Sequence, residues 1–96
     1  MADAFYYVYI LESISTNDWY TGCTSDLRKR FTQHNNGVST YTKYRGPYKL
    51  IYYEASLDKK DAFARERYLK TGMGKRYVKN RIKNQLNGIL TQDTKK

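Results

Sequence analysis

Aromatic and β-branched residues fill the stretch from Phe5 to Glu12 (F-Y-Y-V-Y-I-L-E), with no helix breaker inside it. The composition predicts a strand apolar on both faces, which belongs at the centre of a sheet with both sides covered. A polar turn, Ser13 to Asp18, separates it from Trp19 to Cys23 (W-Y-T-G-C), again strand-like, so the two should form an antiparallel hairpin with a longish loop. Thr24, Ser25 and Asp26 offer N-cap oxygens ahead of L-R-K-R-F-T-Q-H-N-N, and Gly37 stands where that first helix would end. Val38 to Pro47 reads as a loop broken by Gly46-Pro47, and Tyr48 to Ala55 as a third strand. Ser56 and Asp58 can cap a second helix running to about Lys70, with Thr71-Gly72-Met73-Gly74 stopping it. From near Lys75, Val78, Ile82, Leu86 and Ile89 recur as the apolar stripe of a third helix, and a frayed tail follows from Thr91. The order ββαβαα predicts an α+β fold: a small sheet packed with helices.

Length and charge narrow the class. Ninety-six residues without a Pro-, Gly- or Ser-rich linker fit one domain with one core. Eighteen Lys and Arg against nine Asp and Glu give a net charge of +9, a field that draws polyanions and makes nucleic acid the first partner to test. Charge alone is equally compatible with plain solubility. A single cysteine, Cys23, excludes an internal disulfide and any cysteine-rich zinc site, which suits a reducing compartment. The sequence contains no apolar run of membrane-spanning length and no secretory leader, so a cytoplasmic location is expected.

Two helical residues sit where their charge is anomalous. At 100° per residue Leu27 and Phe31 mark the buried side of the first helix, and Arg30 and His34, one turn apart, fall beside them. A cation there must meet a carboxylate from within or an anion from outside. In the second helix Glu66 lies on the apolar arc with Ala62, Phe63 and Leu69, whereas Arg65, Arg67 and Lys70 can reach solvent. Glu66 suits a hard divalent ion, which takes oxygen ligands. A structural Arg30–Glu66 ion pair explains the same pattern equally well. His34, the chain's one histidine, is the side chain whose ordinary pKa lies nearest neutrality.

Tyr7 and Tyr9 share one face of the first strand, and Tyr20 stands two residues before Gly22, a strand glycine of the kind that marks a close approach. Most of the eleven tyrosines are nonetheless expected to pack. In the long loop, Thr42, Lys43 and Arg45 mix hydroxyl and cationic groups suited to phosphate contacts. On the third helix Lys75, with Arg76, Lys79 and Lys83, can follow a nucleic-acid backbone or simply face solvent.

Taken in order, Y-V-Y (Tyr7 to Tyr9), Y-T-G (Tyr20 to Gly22), D-L-R-K-R-F-T-Q-H ending at His34, and A-F-A-R-E-R-Y-L-K around Glu66 resemble the GIY-YIG nuclease family, and its small single-domain bacterial members in particular. The likeness covers about residues 5 to 86. It implies a three-stranded antiparallel sheet flanked by helices, with strand tyrosines, a helix arginine and a helix glutamate converging on one cleft. It further implies metal-dependent hydrolysis of phosphodiesters, in DNA ahead of RNA, with branched, flapped or single-stranded forms as candidate substrates and one Mg²⁺ or Mn²⁺ ion. By the resemblance Arg30 matches the phosphate-binding arginine, Glu66 the metal-binding glutamate and His34 a position that is histidine in some members, while Tyr9 and Tyr20 carry the catalytic phenols. Asn80 corresponds to a polar position near the end of the family domain. Tyr7 replaces the glycine of the family's first motif, which should narrow the cleft, and Thr21 replaces isoleucine in the second. The expected assembly is a monomer or weak dimer, with a protein partner as one source of specificity. A module that binds nucleic acid without cutting it is the competing expectation.

Overall fold

The computed structural model describes residues 4–37 and 46–91, with the side chains of 89–91 left aside. The loop residues Thr42, Lys43 and Arg45 lie outside the described residues. Strands β1 (Tyr6–Ser13), β2 (Trp19–Thr24) and β3 (Tyr48–Ser56) form one sheet in the order β2-β1-β3. Both pairings are antiparallel, with Tyr9 opposite Gly22 on one side and Tyr53 on the other. The strand apolar on both faces is therefore the central one, because only there are both of its faces and both of its edges covered. Helix α1 (Leu27–Asn35) follows β2, and α2 (Lys59–Leu69), α3 (Gly72–Arg81) and α4 (Lys83–Thr91) follow β3. Among the described residues, no helix is long and apolar enough to cross a membrane.

Asp26 caps α1 by accepting from the Lys29 N–H, and Asp58 caps α2 by accepting from the N–H groups of Lys60 and Asp61. The stop after α2 is also a start. Thr71 caps α3 through a bond from the Gly74 N–H, so the helix begins at Gly72, not near Lys75 as the sequence suggested. A Cβ at Gly74 would collide with the backbone carbonyl of Tyr68, and this lets α3 leave α2 at such a tight corner. The long stripe also divides. Ile82 ends α3 in a non-helical conformation and α4 resumes at Lys83, giving ββαβααα in place of ββαβαα.

Alternation along β1 sorts the side chains into two clusters. Val8 and Ile10 pack with Ile51, Ala62, Leu69 and Val78, bringing α2 and α3 onto one face. Tyr9 and Leu11 pack with Tyr48, and with Tyr20, Leu27, Phe31 and Leu50 around them, on the face that α1 covers. Two side chains of α2 depart from the sequence reading. Phe63 is exposed, and Arg65, expected in solvent, turns back to grip Glu54 of β3 with two bonds of 2.9 and 2.7 Å. That fork holds the Glu54 carboxyl below its usual range, against its burial and with help from the Tyr52 hydroxyl at 2.8 Å. The Arg65 guanidinium also lies over the rings of Tyr68 and Tyr77, clasping β3, α2 and α3 together.

Candidate functional site

Gly22 makes room for the centre of the cluster. A side chain there would put its Cβ 2.5 Å from the Tyr9 hydroxyl and 2.7 Å from its Cζ, so the Tyr9 ring lies across the neighbouring strand because position 22 has none. The Tyr20 ring, two residues along β2 on the same face, sits 6.3 Å from that of Tyr9. Helix α1 then delivers His34, whose Nε2 is 2.8 Å from the Tyr9 hydroxyl and whose ring lies 4.9 Å from that of Tyr20. Tyr9 and His34 are each 1% exposed, but Tyr20 is only half-buried and borders open space. Among the described residues every buried side-chain polar atom has a hydrogen-bond partner.

Arg30, one helical turn before His34, is half-buried and its Nη1 donates to Gln33 Oε1 at 2.9 Å. Its positive charge also reaches the Tyr9 phenol. Burial, and then the neighbouring Tyr20, push the Tyr9 phenol up to about 12, with Arg30 pulling the other way. Burial, aided by the positive charge of Arg30, brings His34 down to about 4, so the imidazole is neutral at pH 7. A neutral imidazole has one ring nitrogen able to accept a hydrogen bond from the phenol.

Glu66 does not pair with Arg30. Its carboxylate, 19% exposed, takes the Lys70 ammonium at 3.2 Å, the next turn of the same helix. Burial is the main cause that raises the Tyr9 phenol and the Cys23 thiol, and the negative charge of Glu66 adds to both, which puts it within electrostatic reach of each. The arginine therefore keeps its charge for something other than Glu66, as a site built for an external anion requires.

Tyr9, Tyr20, Gly22 and His34 thus meet directly, with the charges of Arg30 and Glu66 within reach of Tyr9. Tyr7 does not join them. It touches Phe5 and Tyr53 at ring distances of 6.3 and 5.9 Å and lines a separate cavity of about 470 Å³ with Asp26, Arg28, Phe31, Leu50 and Tyr53. The expected narrowing of the cleft by Tyr7 is therefore displaced to that other opening. A second cavity of about 470 Å³ is lined by Trp19, Tyr20, Thr21, Lys70 and Lys75, which brings Lys75 to the mouth of the cluster. Asn80 is exposed on α3, and no interaction ties it to the cluster among the described residues.

Sequence reasoning missed Gln33, Trp19 and Lys70. For Gln33 and Lys70 a signal existed, since they stand three residues after Arg30 and four after Glu66, the spacings at which helical side chains meet. Trp19 gave none, because its place beside Lys70 and Lys75 depends on how α2 and α3 cross the β2 edge.

The described residues hold no cluster of three or more His, Cys, Asp or Glu that would cage an ion. Mg²⁺ and Mn²⁺ do not need one. A hard ion of this kind keeps several waters and binds through one or two carboxylates plus substrate phosphate, and a partly exposed Glu66 fits that mode.

The description "GIY-YIG catalytic domain" belongs to the family model that matches residues 5–83. The UPF0213 protein CPE1444 of Clostridium perfringens is 48% identical over 65 residues, covering 67% of this chain and 69% of that protein. The UPF0213 protein SpyM3_1077 of Streptococcus pyogenes is 43% identical over 65 residues, 67% and 70% of the two chains. The solution NMR structure of the UPF0213 protein BH0048 from Bacillus halodurans is 35% identical, covers 77% of this chain and 81% of its own, and superposes with a TM-score of 0.49.

Proposed function

The chain belongs to the GIY-YIG family, a nuclease-type assignment, and from that premise we propose that it hydrolyses phosphodiester bonds in DNA with the help of one divalent metal ion. The observation that carries the reading is the state of Arg30: a half-buried guanidinium within electrostatic reach of Tyr9 and His34, held by the neutral Gln33 and not paired with Glu66.

In the reaction we envisage, Arg30 binds a non-bridging phosphate oxygen and stabilises the charge that grows on it, a contribution of about 3–4 kcal/mol when such a group is preorganised. Tyr20, at the open side, orients the phosphate and the attacking water. Tyr9, its hydroxyl held at 2.8 Å by His34 Nε2, helps orient that water, since a phenol raised to about 12 stays protonated at neutral pH. His34, neutral down to about pH 4, holds the Tyr9 hydroxyl in place. Glu66 would hold the Mg²⁺ or Mn²⁺ ion, which when bound would supply Lewis-acid neutralisation of phosphate charge. Lys70, now on Glu66, is free to turn to the substrate's phosphates once that carboxylate is otherwise engaged.

The test is a panel of end-labelled DNAs, duplex, nicked, flapped, branched and single-stranded, incubated with Mg²⁺ or Mn²⁺. Cleavage of at least one form, stopped by chelation and lost in Arg30→Ala, is the expected result. Binding to the panel with no cleavage under either ion, by protein whose fold is intact, would replace this reading with that of a binding module.

A further inference from the structure

The two cavities have similar volumes and opposite character. The one beside Tyr7 sets Asp26 against Arg28 within a largely apolar lining. The other is lined by Lys75 and by Lys70, whose ammonium also holds Glu66, and has Tyr20 of the candidate site as one wall. Its basic character continues outward. Lys79, one turn of α3 beyond Lys75 on the same helix face, holds its ammonium 5.7 Å from the centre of the Trp19 ring. Trp19 in turn is fixed by its indole N–H, which donates to Glu12 Oε2 at 3.2 Å. An aromatic wall and three lysines in series, on a chain of net charge +9, make a track for a polyanion.

We propose that this surface, running from Tyr20 across Trp19 along Lys70, Lys75 and Lys79, receives the sugar–phosphate backbone of the nucleic acid on its way out of the candidate site. Lys75 and Lys79 contact successive phosphates, and Lys70 lies at the inner end, where the track meets Glu66. The direction of the path rests on the nuclease reading, but the binding itself does not. The contacts are to phosphate and so carry no sequence information; they fix where the backbone lies.

Trp19 is the chain's only tryptophan, so its fluorescence reports on this cavity without a label. The experiment titrates the full chain, in EDTA so that nothing is cut, with a short DNA duplex at several salt concentrations, following Trp19 emission and DNA anisotropy together. The expected result is one saturable transition seen by both signals. Lys75→Gln and Lys79→Gln should each weaken binding roughly threefold and lower the salt slope by about 1. Arg28→Gln, at the other cavity, should leave affinity and slope unchanged. All three side chains are exposed, so the fold should survive these changes. DNA binding with silent Trp19 emission, lysine variants indistinguishable from the parent, or no binding at all would overturn the proposal. Loss of cleavage activity from the parent protein with the Trp19 response intact would instead sink the nuclease reading and leave the track standing.

Discussion

On one face of β1, Val8 and Ile10 lie wholly out of water against Ala62, Leu69 and Val78, side chains that present only carbon to one another. On the other face Tyr9 is buried as deeply, but its ring ends in a hydroxyl that must be hydrogen-bonded, and its partner is His34, with the charge of Arg30 nearby. The strand is the same and the alternation is the same. What differs is the helix that covers each face: α2 and α3 bring aliphatic residues, whereas α1 brings a cation and an imidazole. Burial on the first face yields stability in proportion to area removed from water. Burial on the second fixes the position of polar groups at some cost in desolvation, visible as a phenol pushed up and an imidazole pulled down.

If the faces divide the labour in this way, variants on each should separate folding from chemistry. Leu69→Ala, on the aliphatic face, should lower stability by about 2–5 kcal/mol in chemical denaturation, yet leave the rate per folded molecule unchanged. Arg30→Ala or Glu66→Ala should do the reverse. Either should cost at least about a hundredfold in cleavage rate, some 2.7 kcal/mol of barrier, with a melting temperature near that of the parent. Gly22→Ala sits between the two classes, because the added methyl must displace the Tyr9 hydroxyl. It should destabilise by about 1–3 kcal/mol and slow cleavage as well, and a rate left intact would show that the position of Tyr9 does not matter.

The last effect is on pH. His34 takes up its proton at about 4 in the folded chain and near its ordinary value of 6.5 when unfolded, so the unfolded state binds more protons between those limits. Stability should therefore fall as pH drops from 6.5 towards 4, by at most about 1.4 kcal/mol per pH unit from this group. His34→Gln should flatten that part of the profile in a comparison of denaturation midpoints, whereas Leu69→Ala should shift the profile without changing its slope.

The aliphatic face was the more legible of the two in the sequence. Strand composition and capping residues reveal β1, β2, β3, α1 and α2 because they depend on neighbours a few positions away. The corner at Thr71 was read only as a stop, since nothing local says that Gly74 will let α3 start at once against Tyr68. The break at Ile82 escaped for a related reason: an apolar stripe has the same spacing whether one helix carries it or two. At the site, helical phase singled out Arg30, His34 and Glu66, but phase cannot choose between an ion pair and an open pocket. That choice depends on where α2 crosses the β2 edge, which keeps Glu66 from pairing with Arg30, so that each takes a partner from its own helix, Lys70 and Gln33. Phase also misjudged Arg65, whose reach back to Glu54 depends on a strand eleven residues earlier. Tyr7 shares a face with Tyr9 yet opens on a different cavity, because Tyr53 of β3 draws it away.

The most direct measurement of the central claim, that Arg30 and Glu66 serve an incoming phosphodiester and not each other, follows cleavage and binding of the same labelled DNA by the parent chain and by Glu66→Ala. The account predicts cutting that requires a divalent ion in the parent, and an Ala variant that binds the DNA comparably but no longer cuts it. Cutting that persists in Glu66→Ala, or proceeds in EDTA, would contradict it.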